Sequence, residues 1–273
     1  MLSRHSILAA LLMLVSPAAL ALEILDGDWQ QGAVIRGKVE PGSEVRLGEK
    51  RLRVADEGLF VLGLDRNAEA EAAITVIGPD GEEQSHRFDV ARRDYEIQRI
   101  EGVPQSTVTP NAEQVARSRK EAELAWKARQ VESGLTGFTQ DFQWPLTGII
   151  TGVYGSQRFY NGEPRSPHYG VDIAGPEGAP VAAPAGGVVT LAYDDMFFSG
   201  GTLIVDHGHG LSSTFIHLHK ILVEEGEEVE QGQTIAEVGA TGRATGPHLD
   251  WRMNWYDRRV DPTTLVGPMP ESD

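Results

Sequence analysis

The chain of 273 residues carries 40 acidic and 24 basic side chains, a formal net charge of -16, and no cysteine. That length admits one large or two modest domains, each able to bury a core. The acidity argues against nucleic acid, whose phosphates need a basic surface, and against docking on anionic lipid. The lack of cysteine excludes a disulfide framework and thiol-linked lipid.

Residues 1–21 read as a secretory signal peptide. Arg4 supplies the positive n-region, Ile7 to Val15 the short apolar run, and Ala19-Leu20-Ala21 the A-x-A cleavage signature. The run is too short to span a bilayer, and no later stretch approaches the necessary length. The expectation is an exported, soluble, monomeric protein.

Residues 22–98 are expected to form a small β-sandwich. "AVIRGKV", "SEVRL", "RLRV", "LFVLGL", "AAITVIG" and "HRFDV" are short, mostly alternating runs separated by turn formers such as Pro41-Gly42 and Pro79-Asp80-Gly81. No titratable cluster stands out in this part, so it reads as a spacer or docking module. Residues 99–141 form a linker that contains a helix over about 111–133. Asn111 and Gln114 have capping-box spacing, and Gly134 is placed to end the helix. Val115, Ala122 and Trp126 make a thin apolar stripe suited to light packing.

Residues 142–266 return to strands, with "GGVVTLAY", "GTLIVDH", "LSSTFIHL" and "QTIAEVG", and predict a second, all-β domain before a tail at 267–273. The chain as a whole is expected to be mainly β. Six of the eight histidines lie between 168 and 248. His168 and Asp172 stand four apart in "SPHYGVDIAG", His217 and His219 two apart in "STFIHLHK", and His248 and Asp250 two apart in "TGPHLDWRM". Strand residues at even spacing share a face, so these pairs can project together. Several imidazoles and carboxylates on one face are expensive to bury without compensation, and a divalent metal supplies it. His207 and His209, in the Gly-rich "VDHGHGL", read as a surface loop.

The stretches "HYGVDIAGPEGAPVAAPAGGVV" and "STFIHLHKILVEEGEEVEQGQTIAEVGATGRATGPHLDW", with the lead-in "WPLTGIITGVYGSQR" and the closing "VDP", resemble the lysostaphin-type, LytM-like zinc metallopeptidases. The resemblance covers about Trp144 to Pro262. It implies an antiparallel sheet core with a groove, a zinc-dependent peptidoglycan endopeptidase in the periplasm of a Gram-negative type envelope, and Zn2+ as cofactor. By position, His168 and Asp172 match the first two metal ligands of the family's H-x-x-x-D motif. His217, and His248 as the first residue of the H-x-H motif, match its catalytic histidines. The third ligand position of that motif holds Asp250 instead of histidine.

An aspartate can ligate zinc at nearly the same distance as imidazole, but a second carboxylate makes the site harder and more tolerant of manganese. The resemblance also carries an alternative. Some LytM-like proteins have lost metal ligands and act as scaffolds or activators for other cell-wall hydrolases, which would then be partners. Tyr154 and Arg158, in "GVYGSQRFYNG", precede His168 where a groove wall is expected and are candidate substrate contacts. His219 is left over, as a neighbour of the site or an exposed residue. A lipoyl-type carrier, suggested by "VEEGEEVEQGQTIAEVG", lacks its lysine, since none follows Lys220.

Overall fold

The computed structural model of the protein describes residues 22–100, 111–160, 162–164 and 166–270; residues 1–21, expected above to be a signal peptide, lie outside the described residues. The N-terminal part folds as the alternating pattern predicts. The strands Glu23–Asp26, Val34–Lys38 and Leu59–Gly63 form one sheet, and Lys50–Leu52, Glu44–Leu47, Glu71–Ile77 and Glu83–Asp89 form another. In Glu71–Ile77 the period of two is clean: Ala72, Ile74 and Val76 are buried while their neighbours are not.

The larger sheet is antiparallel throughout. Its order is Glu228–Val229, Gly187–Met196, Gly200–Asp206, Leu211–Leu218, His248–Trp255, Gly170–Ala174 and Ile150–Gly152, with Arg258–Val260 also paired to His248–Trp255. The central strand "HLDWRMNW" organises the site. Leu249, Trp251, Met253 and Trp255 are fully or almost fully buried in the core. His248, Asp250, Arg252 and Asn254 therefore occupy the other face. Residues directly opposite one another in a sheet share a face. Asp250 thus lies beside Asp172 and Ile216, and Arg252 beside Gly170 and Thr214.

One apolar core joins the N-terminal sheets to the large sheet, running from Ala33, Ile35 and Phe60 through Phe215 and Trp251 to Leu265. At the junction the Lys50 ammonium sits 3.8 Å from the ring centre of Tyr256 and 4.5 Å from that of Trp255. Arg258 Nη1 donates to the Gly63 carbonyl at 3.1 Å.

Helix α1, Ala112–Arg129, begins with the expected reciprocal capping box between Asn111 and Gln114. Its end and its buried face differ from expectation. Gln130 caps the C-terminus, four residues before Gly134, and the buried side chains are Glu121 and Ala128, while Trp126 is half exposed. The sheet surface offered by Leu191, Met196 and Ile204 selects small Ala128 and Ala125 for close approach, and leaves the bulky indole outside.

His207 and His209 also differ. Both are buried, not on a surface loop. His207 bridges the Gly186 carbonyl at 2.9 Å and the Ser213 hydroxyl at 2.8 Å, and His209 reaches the Arg53 carbonyl at 3.1 Å. These hydrogen bonds to backbone carbonyls and to the Ser213 hydroxyl offset the cost of burying the rings. Among the described residues, no helix is long and apolar enough to cross a membrane.

Candidate metal centre

His168, Asp172 and Asp250 each offer a ligand atom, and these atoms all lie within 4.8 Å of one another. His168 precedes the Gly170–Ala174 strand, which carries Asp172, and Asp250 lies across the ladder from Asp172. His168 Nε2 is 3.1 Å from Asp172 Oδ1 and 3.4 Å from Asp250 Oδ2. Ligands held at about 2.0–2.1 Å around a tetrahedral ion are separated by roughly 3.3–3.4 Å, close to both spacings. Asp172 Oδ1 is buried and accepts no well-aligned hydrogen bond, which leaves a lone pair for a cation. His168 Nδ1 lies 3.3 Å from the Val153 carbonyl, so an N–H there turns Nε2 toward the two carboxylates. These donors fit a divalent ion.

Electrostatics lead to the same conclusion. Burial pulls the His168 pKa down, but the adjacent carboxylates of Asp172 and Asp250 outweigh it and hold the ring up at about 9. Burial likewise opposes the charge of Asp250, yet the Arg252 guanidinium and His168 keep its carboxyl well below the ordinary range. Two carboxylates in one buried spot are stable only with positive charge between them. A bound cation would take over that role from the His168 proton.

Two more imidazoles adjoin the three donors. The rings of His217 and His248 are 4.9 Å apart, tilted by 48°, and His248 Nε2 is 3.9 Å from Asp172 Oδ1. His217 Nδ1 pairs with the Thr241 carbonyl at 2.8 Å and His248 Nδ1 with the Gly246 carbonyl at 2.8 Å. Each ring therefore donates an Nδ1 proton to a backbone carbonyl, and Nε2 is its other nitrogen. Burial lowers the His217 pKa, against the pull of the Thr241 carbonyl. His217 has a positive φ of 66°, rare for a residue with a Cβ. Regular alternation would have sent its ring to the side of buried Phe215; the left-handed twist turns it toward His248.

Other expected positions fall differently. His219 does not share a face with His217: it is exposed and lies 3.1 Å from Glu177. Tyr154 is 3% exposed, and its hydroxyl donates to the Arg259 carbonyl at 2.8 Å. That burial removes it from substrate contact and makes it a packing residue between Tyr95 and Tyr169. Arg158 belongs to the Gln157–Tyr160 strand; its side chain lies outside the described residues.

Sequence reasoning missed three residues that shape the centre. Arg252 grips Asp250 with two hydrogen bonds, Nε to Oδ1 at 2.9 Å and Nη2 to Oδ2 at 2.6 Å. The period of two that placed His248 with Asp250 also reaches Arg252, so the signal was present. Gly152 and Gly170 leave space for the carboxylates. A Cβ on Gly152 would lie 2.3 Å from Asp172 Oδ2, and one on Gly170 would lie 2.4 Å from Asp250 Oδ1.

Comparison with known proteins bears on this arrangement. Residues 166–262 match the model of Peptidase family M23. A crystal structure of a putative peptidase M23 from Pseudomonas aeruginosa is 30% identical, with a TM-score of 0.68, and the match covers 88% of this chain and 96% of that one. The peptidoglycan DD-endopeptidase ShyB of Vibrio cholerae is 35% identical over 144 residues, which are 53% of this chain and 29% of that protein. ShyA, a peptidoglycan DD-endopeptidase from the same organism, is 37% identical over 107 residues, 39% of this chain and 25% of that protein. The chain thus spans less than a third of the length of these two relatives.

Proposed function

Because the chain belongs to peptidase family M23, we propose that it is an exported zinc metalloendopeptidase that hydrolyses peptide cross-links of peptidoglycan, working in the periplasm. The observation that carries this reading is the convergence of His168, Asp172 and Asp250 with two imidazoles whose Nδ1 atoms are each bonded to a backbone carbonyl. The names of ShyA and ShyB, both peptidoglycan DD-endopeptidases, support the substrate class.

His168, Asp172 and Asp250 would hold the ion. When bound, zinc polarises a carbonyl and lowers the pKa of water, which makes hydrolysis feasible near neutrality. His217 serves as general base. Its Nδ1 proton is committed to Thr241 and its burial favours the neutral ring, so Nε2 accepts the proton of the attacking water. The proton that His217 Nε2 takes up then passes to the leaving amine, and His248, one ring away, hydrogen-bonds the developing oxyanion in its protonated form. Carbonyl partners on both Nδ1 atoms fix the tautomers before substrate arrives.

The test is digestion of purified sacculi by the full chain, with soluble peptide fragments followed by chromatography. Fragments should appear, stop on chelation and return with added zinc. His248→Ala should lower the rate by about 10²–10⁴-fold, the usual worth of a positioned acid or base. Release that persists at full rate in a strong chelator would refute the metal mechanism. A metal-free scaffold for other cell-wall hydrolases is favoured by one observation, the hold of Arg252 on Asp250. It requires that the native protein bind no stoichiometric metal.

A further inference from the structure

Asp250 is an unusual ligand because a cation already holds both of its oxygens. Its side chain is 3% exposed and that of Arg252 26%, so neither charge is well solvated. The two lie two residues apart on one strand face, and Gly170, opposite Arg252 in the ladder, makes room for them. A Cβ at Gly170 would come within 2.4 Å of Asp250 Oδ1 and 2.6 Å of Arg252 Cγ. Each carboxylate oxygen has two acceptor sites. The fork uses one on each, and Oδ2, the oxygen 3.4 Å from His168 Nε2, keeps another for an ion.

We infer that Asp250 and Arg252 act as one net-neutral ligand, with Arg252 a positioning residue that fixes the carboxylate and cancels its charge. The inference rests on the metal reading given above. With His168 neutral, two bare carboxylates would surround the ion with a ligand charge of minus two. The Arg252 guanidinium restores minus one, the charge that a neutral imidazole at position 250 would leave. The pair therefore conserves the charge left on a divalent ion while changing the ligand atom from nitrogen to oxygen. It follows that the two positions are coupled. Histidine at 250 alone would strand the guanidinium as an unpaired cation beside the metal, and repulsion at that range in a partly buried site is large. Ligand and arginine must change together.

Zinc dissociation constants of the full chain, measured by competition with a chromophoric chelator, test this without any activity assay. The variants are Asp250→His, Asp250→His with Arg252→Gln, and Asp250→His with Arg252→Lys, each checked for native near-ultraviolet circular dichroism. Asp250→His should bind zinc at least about tenfold more weakly than wild type. Adding Arg252→Gln should recover that loss, and adding Arg252→Lys, which keeps the charge, should not. Equal affinity for Asp250→His and its Arg252→Gln double variant overturns the coupling while leaving the metal site intact. Recovery by Arg252→Lys as well would mean that the guanidinium acts by shape instead of charge, and would also overturn it. If wild type binds no zinc while Asp250→His does, the metal reading fails together with the inference.

Discussion

Gly170 sets the tolerance of the whole centre. A Cβ there would stand 2.4 Å from Asp250 Oδ1, 2.6 Å from Arg252 Cγ and 2.8 Å from the Trp251 carbonyl oxygen. None of these can yield freely, because Asp250 and Trp251 are buried and the carbonyl belongs to the sheet. Gly170→Ala is therefore expected to destabilise the fold by about 1–3 kcal/mol, the usual cost of overpacking, and to weaken zinc binding by displacing the carboxylate. Urea unfolding and a zinc titration on the same sample check both. Unchanged zinc affinity would show that Asp250 is not held where the ion binds. At this scale His168, Asp172, His248 and Asp250 were legible from spacing and resemblance. The facing of His217 was not, because it depends on a φ of 66° that breaks strand alternation. The burial of Tyr154 was not legible either, since its partners Tyr95 and Arg259 are distant in sequence.

Helix α1 shows the same division between local and distant causes. Its capping box could be read directly, because Asn111 and Gln114 satisfy each other within one turn. Its buried face could not, because the sheet beneath decides what fits. The deciding residue is Glu121, only 6% exposed. Its carboxylate accepts from Arg117 Nε at 2.7 Å and from the backbone N–H of Phe197 at 2.8 Å. Phe197 begins the turn whose Ser199 carbonyl takes the His217 backbone N–H at 2.8 Å. The helix thus braces the loop that holds His217 in its twisted backbone. Glu121→Ala leaves the Phe197 N–H without a partner and should cost roughly 1–3 kcal/mol. If the proposed role of His217 holds, it should also lower kcat on sacculi more than it raises KM, since it touches the turn that supports His217. A variant with normal kcat and reduced stability would confine α1 to a structural role.

On the scale of the molecule, alternation predicted the strands well but not how the two halves meet. Their shared core assembles residues as far apart as Ile35 and Leu265, which no local window can reveal. His207 lies within the larger half, among residues brought together from distant points of the chain. It is fully buried, stands edge-on to Phe142 with ring centres 5.1 Å apart, and is bonded to Gly186 and Ser213. Burial lowers its pKa to about 4 from the ordinary 6.5, and the Gly186 carbonyl recovers only part of that. The unfolded chain therefore takes up a proton on falling below pH 6.5, while the native state refuses it until about pH 4. Within that window, uptake by the unfolded state alone makes stability fall as the pH falls. The slope from this residue is about 1.4 kcal/mol per pH unit at most. Denaturant midpoints between pH 7 and pH 4 should show the decline, and His207→Gln, which cannot titrate, should flatten it even if the variant is less stable throughout. Parallel profiles for wild type and His207→Gln would mean that native His207 takes up its proton over the same pH range as the unfolded chain, and the burial-driven lowering of its pKa would have to be abandoned.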